Sequence, residues 1–387
     1  MALGRGLAPR GEVGARLAAG CVVGFVGTWN VANTGAVAIP LSHHYDASLA
    51  AIGLLTTANF LGELGSMLPA GVLIDRIGAK RVGLTAMAIC LVGNLALMLP
   101  GPAVVAVVLR WLVGLGVGAA FIGGSAYVRT AGESSFFQGL YGGASLSAGG
   151  FALAVVPQLS GVLGWRAPYA SAALLAAVGV VVVRGGPSTA REPVRQRMRL
   201  RLAGDRRLAR LGLLSAAGFG LSVIVGNWAP TLLSRAHGYD EGTAGAIAGL
   251  TILFGIVGRP VGGMVARRWP GATRVLIAGA FVVGAGATAL LAAGGPLFVL
   301  VLAATAIGIA GGTPFGPIMF GATRLYPQAP GAAIGAMNIW PAAAIVALTP
   351  VIGLTFDLPG DGRFGFAVLS AAWALAACAI PPSSALT

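Results

Sequence analysis

The chain has 387 residues, of which 57% are hydrophobic and only 9% are charged. A soluble protein carries roughly 25% charged residues, so this composition cannot coat water-soluble domains and points to a chain that lives in a bilayer. A net charge of +14 would suggest nucleic acid in a soluble protein. Here the cations lie in short loops between apolar runs, which makes them topology signals and excludes nucleic acid as a partner.

A membrane span needs roughly 20 apolar residues at ~1.5 Å each. Twelve such runs follow one another, at 17–41, 48–74, 82–99, 103–128, 139–163 and 168–183, then 209–233, 242–266, 275–293, 297–322, 332–355 and 365–380; they are spans 1 to 12. Arg5, Arg10 and Arg16 precede span 1 like the charged start of a signal peptide, but the apolar run is too long for one and is kept as a span. Between spans 6 and 7 lies RGGPSTAREPVRQRMRLRLAGDRRLAR, Arg184 to Arg210, with nine of the chain's 25 Lys and Arg. The expected fold is an all-α membrane protein with twelve transmembrane helices in two pseudo-symmetric six-helix bundles. Residues 1–183 form the N-terminal bundle, 184–208 a basic cytoplasmic linker, and 209–387 the C-terminal bundle.

Twenty of the 25 cations fall in the hinge, the N-terminal tail and the loops on the same side, against Arg166, Arg235 and Arg363 on the other. The positive-inside rule puts the basic side, and with it both termini, in the cytoplasm. The expected location is a bacterial-type plasma (inner) membrane. Cys21, Cys90 and Cys378 sit in apolar spans without metal-ligand spacing and pack as small hydrophobes. His43, His44 and His237 fall in outer loops, where solvation is expected.

The halves repeat. Tyr45-Asp46 precedes span 2 and Tyr239-Asp240 precedes span 8, each followed about thirty residues later by a basic turn. Gly114 to Gly118 in span 4 matches Gly308 to Gly312 in span 10. Such repeats recur in secondary transporters, with the substrate site at the repeat interface near the midplane.

Only two cations, Arg110 and Arg259, and one acid, Glu63, remain inside spans. Glu63 lies twelve residues before Asp75, roughly 18 Å along the helix and near the middle of a ~30 Å core. A carboxylate there is paired, hydrated or protonated. It is a candidate proton-coupling site or substrate contact, against a structural ion pair or a neutral acid bonded between helices. Arg259 lies roughly 12 Å from the basic edge; it is a candidate for a substrate anion or for Glu63, against snorkelling to headgroups. Prolines in or near spans, such as Pro157, Pro230, Pro260, Pro314, Pro317, Pro341 and Pro350, suggest kinks.

The stretch Gly71-Val72-Leu73-Ile74-Asp75-Arg76-Ile77-Gly78-Ala79-Lys80-Arg81 resembles the loop 2–3 signature of the major facilitator superfamily, with Ala79 replacing a basic residue. Arg110-Trp111-Leu112-Val113-Gly114-Leu115-Gly116-Val117-Gly118 is similar to the family's span-4 pattern, and Gly164-Trp165-Arg166 after span 5 is also typical. The resemblance covers essentially the whole chain. It implies a cytoplasmic gate built from Gly71, Asp75, Arg76, Gly78, Lys80 and Arg81, with Asp75 close to the start of span 11 at Pro330-Gly331, whose free N–H groups favour an anion; against this stand a simple end cap of span 2 for Asp75 and a topology-holding role for Arg76, Lys80 and Arg81. It gives Arg110 a role in coupling or in bonding to span 1, alongside plain bonding to backbone carbonyls. It makes Asn30, Asn33, Asn59, Tyr141, Asn227, Trp228, Thr313, Asn338 and Trp340 cavity-lining candidates, each against helix–helix bonding or interface packing. The Gly-rich start of span 5, Gly139 to Gly150, and Gly258-Arg259-Pro260-Val261-Gly262-Gly263 in span 8 look like the nitrate/nitrite porter and cyanate-type branches. That group also has an Arg in span 2; here span 2 has Glu63 and no Arg, and span 11 lacks the second Gly signature.

The functional expectation is a secondary active transporter of a small solute working by alternating access, proton-coupled through Glu63. Two buried Arg favour a small organic or inorganic anion. The alternative is a drug or metabolite efflux transporter for neutral or cationic lipophiles. No Ser/His/Asp set, paired carboxylates, metal cluster or nucleotide loop appears in the spans, so no enzyme, cofactor or metal is expected, and no ring of charges or carbonyls suggests a channel. The partners expected are a small-molecule substrate, protons and the lipid bilayer, with the chain a monomer.

Overall fold

The computed structural model describes residues 10–188 and 202–381. The expected placement of the termini, and residues 189–201 of the expected linker, lie outside the described residues. Every regular element among the described residues is helical.

The helices fall on the predicted spans and extend beyond their apolar runs. Span 1 is Arg10–Ala32, then a 3-10 turn at Gly35–Val37 and a short helix Ala38–Tyr45. Spans 2 to 6 are Leu49–Ile77, Ala79–Leu97, Ala103–Arg129, Ser135–Leu163 and Ala167–Gly185. Span 7 begins at Arg206, passes through a π-helical turn at Ala216–Gly220 and continues as Leu221–His237. Span 8 is Glu241–Leu253 followed by Gly255–Arg268, and span 9 is Thr273–Ala293. Span 10 is Leu297–Gly312 and Phe315–Leu325, span 11 Pro330–Leu354, and span 12 Arg363–Cys378. Nine stretches among the described residues are long and apolar enough to cross a membrane, and the 51-residue one, Ser135–Gly185, contains two helices.

Local chemistry sets the ends. Ser48, Ser134, Asp205 and Asp240 cap spans 2, 5, 7 and 8 by accepting backbone N–H groups of the first turn. Gly78 ends span 2 at φ 87, a conformation that favours glycine, and span 3 starts at the next residue. The break in span 8, at Phe254, corrects its reading as one continuous helix, and span 10 breaks at a proline where a kink is expected. The second falls at Thr313-Pro314, whereas Pro157, Pro230, Pro260, Pro341 and Pro350 stay inside continuous helices.

The outward surface is apolar, with Val104, Leu174, Val275 and Leu375 all more than two-thirds exposed, as lipid contact requires. Inside, Trp373 meets Phe281 edge-on at 5.6 Å against Gly284, joining spans 9 and 12. Trp29 donates Nε1 to Ser171 Oγ at 3.1 Å, joining spans 1 and 6.

The two halves press together at the basic end. A methyl group on Gly139 would lie 2.3 Å from Arg259 O, and one on Gly263 would lie 2.3 Å from Ser135 O, so spans 5 and 8 touch backbone to backbone. Spans 2 and 11 do the same, with 2.2 Å from Gly71 to Gly331 O and 2.4 Å from Gly335 to Met67 O. Toward the other end of spans 5 and 8, Gly150, Gly161, Gly245 and Gly249 face open space. Small residues are what such backbone contact needs.

Candidate transport site and gate

Asp75 ends span 2 against the first turn of span 11. Its Oδ1 accepts Gly331 N at 2.9 Å and its Oδ2 accepts Ala332 N at 3.0 Å. The residue is 3% exposed. A helix start presents unpaired N–H groups and a partial positive charge, so a carboxylate bonds there strongly. Gly71 and Gly78 shape this corner as described above. Arg76 and Arg81 are exposed at the basic end, and Lys80 Nζ donates to Gly186 O at 2.5 Å, holding the exit of span 6. On the other pair of helices, Ser135 Oγ donates to Gly263 O at 2.8 Å. Sequence reasoning missed Ser135; its signal was the Ser134-Ser135 pair just before span 5.

Arg259 crosses the seam. Its Nη1 donates to Gly142 O of span 5 at 2.7 Å, and its guanidinium lies 4.8 Å from the Phe219 ring and 4.2 Å from the Phe315 ring. It is 3% exposed and borders a small cleft lined also by Leu146, Phe219, Ser222, Val223 and Thr251. Phe219 sits in the π-helical turn of span 7, a feature that often marks functional positions. Neither phenylalanine was singled out from the sequence, because an aromatic in an apolar run carries no distinguishing pattern.

Glu63 is half-buried, and its Oε2 is buried without a hydrogen-bond partner. Its carbonyl oxygen lies against Gly118 of span 4, and the carbonyl one turn on, of Met67, lies against Gly335 of span 11, so this stretch of span 2 is held between spans 4 and 11. Of the two partners weighed for Arg259, Glu63 is not paired with it here, and none of Glu63, Arg110 and Arg259 is ion-paired among the described residues. The reason is location: Arg259 is occupied by Gly142 O and two rings at the span 5–span 8 contact, while Glu63 lies on span 2, which packs on spans 4 and 11.

Arg110 is fully buried in the N-terminal half. Its Nη2 donates to Asn30 O at 2.6 Å and to Thr34 Oγ1 at 3.5 Å, and its Nε to Leu55 O at 3.5 Å. Arg110 thus bonds to span 1, and it does so through a backbone carbonyl, as it does to Leu55 of span 2. Asn30 joins that network through Asn94 Nδ2, which donates to Asn30 Oδ1 at 2.8 Å, and Asn33 Nδ2 donates to Pro168 O.

The remaining lining candidates separate. Asn227 is exposed and lies four residues beyond Val223, on the face of span 7 that borders the Arg259 cleft. Asn59 is fully buried with neither amide atom bonded. Tyr141 donates to Phe121 O, Thr313 to Ile309 O, and Asn338 to Ile334 O, so these three serve helix bonding. Trp228 donates to Thr349 O and stacks on Phe356 at 5.2 Å. Trp340 is 37% exposed and packs against Gly212 of span 7. The outer histidines are not simply solvated either: His44 stacks on Trp165 at 3.5 Å and His237 Nε2 is 3.1 Å from Leu291 O.

The sequence model of the Major Facilitator Superfamily matches residues 20–348. The chain belongs to that family. Comparison with solved structures gives the same fold. The E. coli fucose:proton symporter FucP is 17% identical and covers 95% of this chain and 98% of its own, at TM-score 0.73; FucP in an outward conformation matches at TM-score 0.71. The proton:xylose symporter XylE is 13% identical, with 95% of each chain covered and TM-score 0.74. The human organic anion transporter MFSD10 is 18% identical, covering 94% of this chain and 99% of its own, at TM-score 0.73. No curated protein sequence matches. The protein is therefore a multi-pass membrane transporter of the superfamily, acting on a small-molecule substrate.

Proposed function

We propose that the protein is a proton-coupled secondary transporter of a small anion, held here in its outward-facing state. Residues 1–183 and 209–387 act as two rocking lobes joined by the basic linker. The basic end is cytoplasmic by charge and is the sealed end, which leaves the diverging end open to the outside; the gap there is the vestibule. The observation that carries the reading is Arg259: a buried guanidinium on the lobe interface with no acid partner, tied to the other lobe by one backbone hydrogen bond. A guanidinium keeps its charge and offers further donors in a fixed plane, so an incoming anion competes with Gly142 O and loosens spans 5 and 8. Glu63 supplies the second charge change by taking a proton outside and releasing it inside. The room beside Arg259 is about that of one water in this state, which fits a substrate that enters only as the lobes move.

A thermal-shift screen of purified protein against organic anions, nitrate, cyanate and lipophilic cations tests the substrate class. Anions raise the melting temperature of the wild type and leave Arg259→Gln unmoved; stabilisation by lipophilic cations alone contradicts the reading. Glu63→Gln abolishes gradient-driven uptake, and unchanged driven uptake removes Glu63 from coupling.

A further inference from the structure

Asn59 stands out among the buried polar groups. It is 0% exposed, and neither its Oδ1 nor its Nδ2 has a partner. A buried amide in that condition is strongly disfavoured unless water or a ligand completes it. Its helix turn is fixed, because Gly114 of span 4 packs directly on Asn59 O and Gly118 packs on Glu63 O. Thr56, Asn59 and Glu63 follow at i, i+3 and i+7, one stripe along span 2. Thr56 is part-exposed toward the vestibule end, and its Oγ1 is 3.4 Å from Thr34 Oγ1, which also meets Arg110. Glu63 Oε2 and Arg110 Nη1 are likewise buried without a partner.

We infer that Asn59 holds a short file of water inside the N-terminal lobe, running from Thr56 to Glu63, and that Asn59 is the positioning residue through which Glu63 exchanges its proton with the vestibule. This rests on the reading of Glu63 as the proton site. Four sites on a side-chain amide match what bridging waters need, two donors and two acceptor lone pairs. A proton arriving as hydronium passes along the file and forms an O–H bond on the Glu63 carboxylate. The last water is left neutral, and Glu63 goes from charge −1 to zero. The charged and titratable groups on the packed elements are few. Span 11 has none along Pro330–Leu354. Span 4 offers Arg110, about 12 Å farther toward the vestibule, and Tyr127 and Arg129 at the basic end. Span 3 offers Lys80, Arg81 and Cys90, span 1 offers Glu12, Arg16 and Cys21, and the short helix Ala38–Tyr45 offers His43, His44 and Tyr45. Arg110 is the charge nearest the file.

The test is infrared titration of the full-length protein in lipid, following the carboxyl C=O band that Glu63→Gln removes. Asn59→Leu, which fills the space without bonding water, shifts the midpoint of that band by at least one pH unit, and Asn59→Ser returns it. An unshifted midpoint in Asn59→Leu overturns the water file and leaves Glu63 as the proton site. If Glu63→Gln removes no titrating band, the Glu63 reading fails and the file with it. A measurement on the wild type covers the case of a misfolded leucine variant. Radiolytic hydroxyl labelling, which marks side chains beside internal water, labels Leu55 although it is 1% exposed; an unlabelled Leu55 overturns the inference.

Discussion

Asp75→Asn is the perturbation most sharply defined by the geometry. The carboxylate accepts two backbone N–H groups of span 11, at 2.9 and 3.0 Å, in a buried corner. Hydrogen bonds to a charged group contribute about 1.5–3 kcal/mol each. Asparagine keeps one acceptor, loses the charge and turns an N–H₂ toward the second donor, so the net loss is about 2–4 kcal/mol. On the proposed rocking of the lobes, opening the basic end breaks the span 2–span 11 contact, so the loss falls on the outward-facing state alone. At ~1.4 kcal/mol per factor of ten, the outward-to-inward ratio drops roughly 30- to 1000-fold. The reporter is Asn227→Cys, on the vestibule face of span 7, in a Cys378→Ser background and right-side-out vesicles. Labelling by a membrane-impermeant maleimide slows markedly in Asp75→Asn. An unchanged labelling rate in a folded Asp75→Asn protein refutes the argument that this contact stabilises the outward state.

Gly335→Val places a side chain where a Cβ already meets Met67 O at 2.4 Å, so it slows labelling of the same reporter, and an unchanged rate would show that the seam tolerates bulk. Arg259→Gln lowers apparent anion affinity by about tenfold or more, and Arg259→Lys recovers little of it, because an ammonium does not reproduce the planar donors; full recovery by Lys would reduce the role to charge alone. Outside the spans, Asp205 caps span 7 and accepts Tyr326 Oη at 2.5 Å. Burial pushes Tyr326 up to about 12, helped by the Asp205 hydrogen bond. Asp205 is lowered from 3.8: partial burial opposes the shift, and the Tyr326 hydroxyl and two backbone N–H groups outweigh it. The raised tyrosine stabilises below its ordinary value of 10.0 and loses that contribution as pH rises through about 12. The depressed carboxylate stabilises above 3.8 and loses its contribution as pH falls through its lower folded value. The melting-temperature gap between wild type and Tyr326→Phe is therefore constant between these limits and closes outside them; a gap that varies across neutral pH contradicts the assignment.

Apolar runs and loop charge made the helices legible, because a bilayer leaves a chain few ways to satisfy its backbone. The contact of Asp75 with span 11 followed from the family resemblance, since nothing in the spacing alone joins residues 256 apart. The break at Thr313-Pro314 falls at a proline that suggests a kink in the sequence, whereas the turn at Phe254 and the π turn around Phe219 lie in apolar runs whose periodicity carries no mark of them. Arg259 was found as a lone cation in a span, but its rings and Gly142 were hidden by sequence distance. Trp340 suits a cavity and a lipid edge alike in the sequence; its packing on Gly212 of span 7 was hidden by sequence distance. Opposite charges in a membrane core made Glu63 one of two partners to weigh for Arg259; that they lie on different helix contacts, span 2 with spans 4 and 11 and span 8 with span 5, is not visible in the sequence.

The most direct measurement is anion uptake into proteoliposomes holding the wild-type protein, with an imposed pH gradient and a trapped pH dye read together. The account predicts saturable uptake that rises when the outside is acidified and carries protons inward with the anion. Uptake that does not saturate, or that proceeds at the same rate with and without the gradient while the dye stays still, would contradict it.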